Sequence, residues 1–331
     1  MLRRILALAA AGLIAGAAAP ARADVLRVAD LNTTQIRALD RAKTLVVLTG
    51  GMLEEHGPYL PAFTDGILSE RLTQEIARAV AAKKPDWTVL LFPPISFGAS
   101  GSNEIGGRFS FPGTYAVRPS TLRAVFMDLA SEIGEQGFRW IAVVHVHGSP
   151  MHIRPIDDAS DFFHDTYGGR MVNLWGLVPV LGGWGGAMSG MTDAEKTEDG
   201  LSLHGGADEH SLMLYLRPDL VAPGYRTAPA VAGATYRESF DIAKRSDWPG
   251  YIGSPRLATA ALGEKIWTAF AAAVIEHTLK ILDGADPAMF QRYADLLFGN
   301  PIYRDEWIKA SAERDQRLDA AQKEWLRRRD R

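Results

Sequence analysis

The sequence contains no cysteine. This absence excludes a disulfide framework, a thiolate nucleophile and any thiolate metal ligand. A metal ion bound by this protein must therefore be held by histidine and carboxylate side chains. Internal repeats and low-complexity linkers are also absent from the sequence. Hydrophobic residues make up 47% of the chain, which is enough for a sizeable core.

After residue 23, no apolar run in the sequence approaches the roughly 20 residues that a membrane span requires. Residues 1–23 have the pattern of a secretory signal peptide. Arg3 and Arg4 are followed by an uncharged apolar stretch at 5–19 and an A-R-A cleavage site at 21–23. We expect a mature protein that begins at Asp24 and is periplasmic or secreted. The alternative is an uncleaved membrane anchor.

An excess of positive charge is absent as well. The formal charge is −3, and removal of the three arginines in residues 1–23 makes it −6. Neither nucleic acid nor an anionic membrane surface is therefore an expected partner of the mature chain.

Short apolar segments alternate with amphipathic ones. Residues 45–48 and 140–144 are apolar throughout, and 87–92 are apolar apart from Thr88, so all three segments predict buried strands, while 66–84 and 119–136 predict helices. Strands that are apolar on both faces and separated by helices indicate a mostly parallel central sheet with helices on both faces, an α/β three-layer sandwich. In such folds the functional site lies beyond the carboxyl ends of the strands.

Candidate metal ligands lie at those ends. Glu54 and His56 follow the first strand two residues apart, and Asp65 comes where the next helix begins. His145 and His147 end the third strand. Because the carboxyl ends of parallel strands meet at one edge, these side chains predict a metal site. The alternative is a loop of solvated charges, with Asp65 as a helix N-cap.

Two later segments add candidates. Residues 159–190 are rich in glycine and aromatics and contain Trp175 and Trp184; Trp184 could cover a substrate as a lid, or the segment could be a structural hinge. His204 and Glu209 flank a turn at a helix start, where a carboxylate is also favoured as a capping group. The polar loop at 97–114 suits either a substrate loop or an ordinary surface loop.

Four segments together resemble the creatininase (creatinine amidohydrolase) family. They are EEHGPYLPAFTD, FPGT with its following helix, VVHVHG, and HGGADEHSLML with GYIGSP further on. The resemblance implies an α/β sandwich and a homo-oligomeric, two-metal amidohydrolase acting on non-peptide or cyclic C–N bonds. It implies that the metal ligands include Glu54, His56, Asp65 at the bridging position, and His147, with His204 near the substrate and Glu209 as the acidic residue of the last motif.

The sequence departs from the family pattern on the substrate side. Tyr59 stands where a histidine is usual, His145 replaces an asparagine, Ser149-Pro150 replaces a Gly-Asn pair, and His210 replaces a threonine. The resemblance therefore supports the type of reaction more strongly than the identity of the substrate. We do not assume that the substrate is creatinine. The residues expected to contact substrate are Tyr59, His145, Trp175 and Trp184.

One departure affects the second metal. Creatininase has a glutamate ligand at the position of Ser149, and a neutral hydroxyl is a poor substitute beside two divalent ions. We therefore predict that one metal is held by Glu54, Asp65 and His147, and the other by His56, Asp65 and Glu209. The alternative is that Glu209 only caps its helix and that the second metal is not bound.

The sequence thus predicts a signal peptide at 1–23, a creatininase-like metal hydrolase domain at 24–285 and a charged helical tail at 286–331. The expected activity is hydrolysis of a small-molecule amide by a metal-activated water, with His204 or Glu209 carrying a proton to the leaving nitrogen. The expected cofactors are two divalent ions per chain, with zinc first and manganese or iron also suited. The alternative function is a non-catalytic protein that binds a metal or ligand on the same fold.

Overall fold

The computed structural model describes residues 24–187 and 190–329. Within these ranges five parallel strands form one sheet in the order β1-β3-β2-β4-β5. The strands are β1 (Asp24–Arg27), β2 (Thr44–Gly50), β3 (Thr88–Leu91), β4 (Trp140–His145) and β5 (Arg170–Asn173). Residues 1–23, where the signal peptide is predicted, lie outside the described ranges.

The centre of the sheet is formed by β2 and β4. Every residue of β2 is buried. Because successive side chains of a strand point to opposite faces, Leu45 and Val47 enter one hydrophobic core while Val46 and Leu48 enter a second one. The prediction that residues 45–48 form a strand buried on both faces is therefore confirmed.

Helices cover both faces of the sheet, which confirms the predicted α/β sandwich. The helices are α1 (Thr33–Arg37), α2 (Thr64–Lys83), α3 (Pro119–Glu135), α4 (Pro150–Tyr167), α5 (Val178–Ala187), α6 (Asp193–Asp199), α7 (Ala207–Leu216), α8 (Tyr236–Lys244), α9 (Ala260–Leu282), α10 (Tyr293–Gly299) and α11 (Lys309–Arg329). Side chains of α2, α7 and α9 form the core that contains Leu45. Side chains of α3 and α4 form the other core.

Several element boundaries differ from those that the sequence predicts. The helix predicted at 66–84 begins at Thr64, so Asp65 lies in its first turn and Phe63 occupies the N-cap position without a side-chain capping bond. Asp65 is therefore not the N-cap residue. The sequence pattern does not predict the short strand β5. It does not predict α4 either, because Pro150 and Pro155 interrupt the helical pattern of that segment.

The chain after α9 returns to the body of the molecule. A π-helical turn at Tyr303–Ile308 connects α10 to α11. Tyr303 and Trp307 are buried in a third hydrophobic cluster together with Ile153 and Phe240. The far end of α11 is exposed, with Trp325 53% accessible. None of the helices in the described ranges combines the length and apolar character needed to span a membrane.

Candidate metal centre

The candidate donors come from two strand ends and two helix starts. Glu54 and His56 lie in the loop after β2, and Asp65 lies in the first turn of α2. The loop is closed by a hydrogen bond from the Glu54 backbone N–H to the Ala62 carbonyl, 2.8 Å long. Gly51 permits this path, because a Cβ there would lie 2.6 Å from the backbone nitrogen of Gly66. Strand and helix are thereby held close enough to share one site.

The first donor group consists of Glu54, Asp65 and His147, all buried. Nδ1 of His147 lies 3.0 Å from Oε2 of Glu54 and 3.1 Å from Oδ2 of Asp65. The other ring nitrogen, Nε2, lies 3.2 Å from the Ser100 carbonyl oxygen. An Nε2–H that donates to this carbonyl leaves the Nδ1 lone pair directed at the carboxylates, which is the orientation that a metal ligand requires.

The second donor group consists of His56, Asp65 and Glu209. Nε2 of His56 lies 3.3 Å from Oδ1 of Asp65 and 3.8 Å from Oε2 of Glu209. Nδ1 of His56 lies 3.1 Å from the Glu54 carbonyl oxygen, which fixes the ring and leaves Nε2 available to a metal. The two groups therefore share Asp65, with one carboxylate oxygen facing each imidazole.

His204 lies beside both groups. Its Nε2 is 2.5 Å from the carbonyl oxygen of Glu55, and its Nδ1 is 4.0 Å from Oε1 of Glu54. Its ring centroid lies 4.3 Å from that of His56. Glu54, His56 and His204 form a third set of donors close enough to hold one ion. His204 is thus placed to bind a metal or to exchange protons next to one.

Glu209 has contacts that fit both of its predicted roles. Its Oε2 accepts a hydrogen bond from the Gly205 backbone N–H at 2.5 Å, at the start of α7. The same oxygen is the one that faces His56. The Glu209 carboxylate therefore contacts the start of α7 and also belongs to the second donor group.

The electrostatics of the site favour bound positive charge. Burial opposes protonation of His56 and His147, yet the neighbouring carboxylates outweigh burial and raise the pKa of both imidazoles well above the usual value. Burial likewise opposes ionisation of Glu54, but the imidazoles of His147, His204 and His56 hold its pKa well below normal. These carboxylates and imidazoles are buried and depend on one another for charge compensation.

The donor set fits divalent metal ions. Nε2 of His56 and Oδ2 of Asp65 are buried and have no hydrogen-bond partner among the described residues. Buried polar atoms are normally satisfied, so unpartnered atoms that converge on one point suggest a missing ligand. Imidazole and carboxylate donors suit zinc, manganese and iron.

All of these donors except His56 line a cavity of about 330 Å³. Trp175 and Trp184, both predicted from sequence, line it. The indole N–H of Trp184 donates to Oδ2 of Asp208 at 2.9 Å, and the Trp175 ring centroid lies 5.3 Å from that of Trp184. These contacts anchor α5 at the cavity wall.

The structure places Tyr59 and His145 away from this cavity. The Tyr59 ring packs 6.2 Å from His210 and 6.3 Å from Tyr251. His145 lies beneath the site, where its ring is 5.2 Å from that of Phe126, and burial lowers its pKa to about 3. His145 takes this position because the end of β4 pairs with Gly50, which has no side chain to exclude the ring.

Three residues of the site were missed by sequence reasoning. Glu55 is buried, and its carboxylate accepts a hydrogen bond from the Ser102 hydroxyl at 3.0 Å. The Ser102 backbone N–H donates to Oε1 of Glu54 at 2.5 Å. Asp208 holds Trp184. The period of two directs Glu55 away from Glu54, yet Ser102 contacts both carboxylates in the structure. The sequence signal for Ser102 is its place in the polar loop at 97–114.

An α/β sandwich that carries buried histidines and carboxylates beyond its strand ends defines a protein with a candidate two-metal centre. The family model for creatininase, described as creatinine amidohydrolase, matches residues 29–278. The chain belongs to the creatininase family.

Similar proteins agree with this assignment. The mycofactocin precursor peptide peptidase of Mycolicibacterium smegmatis is 28% identical over 242 residues, which span 72% of this chain and 85% of that protein. The creatinine amidohydrolase of Pseudomonas putida is 26% identical over 233 residues, which span 67% and 84%. A crystal structure of creatininase superimposes with a TM-score of 0.59 at 22% identity and covers 78% of this chain and 98% of its own. Related creatininase structures include a manganese form and a variant of Zn–Zn type.

Proposed function

We propose that the protein is a metal-dependent hydrolase that cleaves the C–N bond of a small-molecule amide, non-peptide or cyclic. The observation that carries this proposal is the carboxylate of Asp65, whose two oxygens face His56 and His147. A carboxylate shared in this way is suited to bridge two cations a few ångströms apart. Membership of the creatininase family supports amide hydrolysis as the reaction class.

The proposed cofactors are two divalent ions per chain. Glu54, Asp65 and His147 would hold one ion, and His56, Asp65 and Glu209 would hold the other. Zinc is the first choice, with manganese or iron also suited, and the manganese and Zn–Zn forms of related creatininases support zinc and manganese. Divalent ions at such a site lower the pKa of a water molecule and polarise a carbonyl group.

The protein's own residues would supply the proton transfers. A departing amine needs a proton, and His204 and Glu209 both border the cavity beside the donor groups. The hydrogen bond between Nε2 of His204 and the Glu55 carbonyl fixes the ring, so that Nδ1 is the nitrogen that can exchange a proton at the site. Buried surroundings keep bulk water from competing with these transfers.

A peptide bond is a second candidate for the scissile amide. The relative from Mycolicibacterium smegmatis is named as a peptidase acting on a precursor peptide. The alternative class is a non-catalytic protein that binds a metal or ligand through the same donors. The substituted positions Ser149 and His210 leave room for that alternative.

The test is a metal and activity assay on the mature chain. Elemental analysis after loading with zinc or manganese should give two ions per chain. Hydrolysis should then be screened on linear amides, cyclic amides and short peptides, with activity lost on chelation and restored by the metal. Two bound ions without turnover of any substrate would favour the binding protein, and turnover of peptides alone would favour the peptidase.

We propose that residues 1–23 are removed and that the protein works in the periplasm or outside the cell, as the n-region, apolar stretch and A-R-A site suggest. A homo-oligomer is proposed from the family resemblance. Besides other copies of the chain, the proposed binding partner is the small-molecule amide substrate.

A further inference from the structure

The tail after α9 lies outside the family match, which ends at residue 278. Contacts with the body hold it in place. The guanidinium of Arg314 donates to Oε1 of the buried Glu104 at 2.7 Å and to the Phe109 carbonyl at 3.1 Å. Asp315 accepts hydrogen bonds from the backbone N–H and the hydroxyl of Ser120, at 3.0 and 2.7 Å. The tail is therefore an ordered part of the molecule next to the cavity.

The π-helical turn gives this segment a specific shape. It spans Tyr303–Ile308, and such wide turns often occur at functional sites. Tyr303 and Trp307 are four residues apart, and their rings stack with centroids 5.8 Å apart and an interplanar angle of 28°. Both residues are buried and both line the cavity. The turn thus presents two aromatic rings from one face of the tail.

Further aromatic residues extend this surface. Tyr293 from α10 and Tyr236 from α8 also line the cavity, and the Tyr236 ring lies 5.2 Å from that of Tyr303. Burial raises the pKa of Tyr293 to about 12, and the nearby Tyr236 adds to the effect. The Tyr293 phenol therefore stays neutral over the working range of pH. We define the aromatic wall as Tyr236, Tyr293, Tyr303 and Trp307.

The charges of the cavity set what can lie against this wall. Among the described residues, no lysine or arginine lines the cavity. The carboxylates of Glu54, Asp65 and Glu209 line the cavity and would offset most of the charge of two bound divalent ions. An anionic group of the substrate at the aromatic wall would lose its hydration without pairing with a lysine or arginine side chain, which is unfavourable. A flat, uncharged group would gain contact with the aromatic rings.

We propose that the aromatic wall selects amides whose non-reacting part is a neutral aromatic ring and rejects those that carry a carboxylate there. The proposal rests on the proposed amide hydrolysis, since the donor groups fix which end of the substrate reacts. Three of the four residues of the aromatic wall, Tyr293, Tyr303 and Trp307, lie in the tail, so the tail supplies most of the surface that selects the substrate.

The test uses primary amides that release ammonia, so that the leaving group is constant. The substrates are acetamide, phenylacetamide, and phenylacetamides with a 4-nitro or 4-carboxy group, the last two having similar size but different charge. With the metal-loaded mature protein, we expect kcat/KM for the nitro compound to exceed that for the carboxy compound by about tenfold or more. Equal values for these two compounds would overturn the charge part of the proposal.

Variants test the role of the tail. Trp307→Leu should lower the ratio of kcat/KM for phenylacetamide to that for acetamide by about tenfold, mainly through KM, and Trp307→Phe should restore much of it. Trp87→Leu is the matched control, because Trp87 is also buried but lies at the opposite end of the sheet, before β3. Circular dichroism and metal content verify folding. An unchanged ratio in folded Trp307→Leu would overturn the proposal.

Direct binding separates this proposal from the proposed function. Calorimetry with phenylacetamide and its 4-carboxy derivative needs no turnover. Selective binding by wild type, weakened in Trp307→Leu, with no hydrolysis of any amide would support the aromatic wall and refute the hydrolase. Hydrolysis of the amides without any aromatic preference would support the hydrolase and refute the aromatic wall.

Discussion

Oδ2 of Asp65 lies 3.1 Å from Nδ1 of His147. The other oxygen of the same carboxylate lies 3.3 Å from Nε2 of His56. In each imidazole, the other ring nitrogen lies next to a backbone carbonyl, which orients the ring. The two rings therefore face different oxygens of the Asp65 carboxylate. This arrangement makes Asp65 the residue on which both candidate metal positions depend.

Replacement of Asp65 tests that dependence. Asp65→Asn keeps the shape of the side chain but removes the charge that would hold two cations close together. We expect loss of at least one metal ion per chain and of nearly all hydrolysis, measured by elemental analysis and an amide assay. Asp128→Asn, an exposed change on α3, is the control. Full metal content in Asp65→Asn would show that Asp65 has only a structural role in the first turn of α2.

Replacement of Glu209 distinguishes a ligand from a helix-capping group. Glu209→Gln retains an oxygen that can accept the Gly205 N–H but removes the charge facing His56. We expect one metal ion lost and hydrolysis abolished, with the circular dichroism spectrum unchanged. Glu195→Gln, which alters the capping box of α6, is the control for a pure capping effect. Unchanged metal stoichiometry and turnover in Glu209→Gln would exclude it from the site.

The carboxyl group of Asp157, which lies outside the metal centre, should make the stability of the protein depend on pH. It is buried in α4, where Oδ1 accepts a hydrogen bond from Asn173 at 3.2 Å and Oδ2 has no partner among the described residues. Burial raises its pKa to about 7, despite the nearby Arg292. Between roughly pH 4 and 7 the folded state keeps a proton that the unfolded state releases, so this group makes stability fall as pH rises.

The variant Asp157→Asn removes that titration. Relative to wild type, its free energy of unfolding should rise between pH 4 and pH 8 by up to roughly 4 kcal/mol, the value that corresponds to the shift in pKa. Thermal or urea unfolding of both proteins in the same metal-containing buffer measures the difference. A difference that stays constant across this pH range would contradict the assignment.

The export prediction is tested on protein recovered from cells. The A-R-A site at 21–23 predicts a mature N-terminus at Asp24 in the periplasmic or secreted fraction. N-terminal sequencing or intact mass measures it. A chain that begins at Met1 would contradict export with cleavage.

The sequence predicted the sheet well because its central strands are apolar on both faces, as in 45–48 and 140–144. It also predicted that Glu54, His56 and His147 meet beyond the strand ends, because these residues follow strands that pair in parallel. It placed His145 with them, but that ring packs against Phe126 away from the cavity. Metal binding by the first three residues stays a prediction.

Other features depend on tertiary packing that no local pattern reveals. The sequence pattern predicts a charged terminal helix for the tail, yet Tyr303 and Trp307 are buried against the body and line the cavity. Their burial depends on a π-helical turn and on contacts such as Arg314 with Glu104, more than 200 positions apart in the chain. Tyr59 was expected near the substrate because of its place in a motif, but its ring packs near Tyr251 instead.

The most direct test of the two-metal centre is a crystal structure of the metal-loaded mature protein with anomalous scattering data. We predict two anomalous peaks that share Asp65, each roughly 2.0–2.3 Å from its ligands. One peak should be coordinated by Glu54 and His147, and the other by His56 and Glu209. A single peak, or peaks that do not share Asp65, would contradict the account.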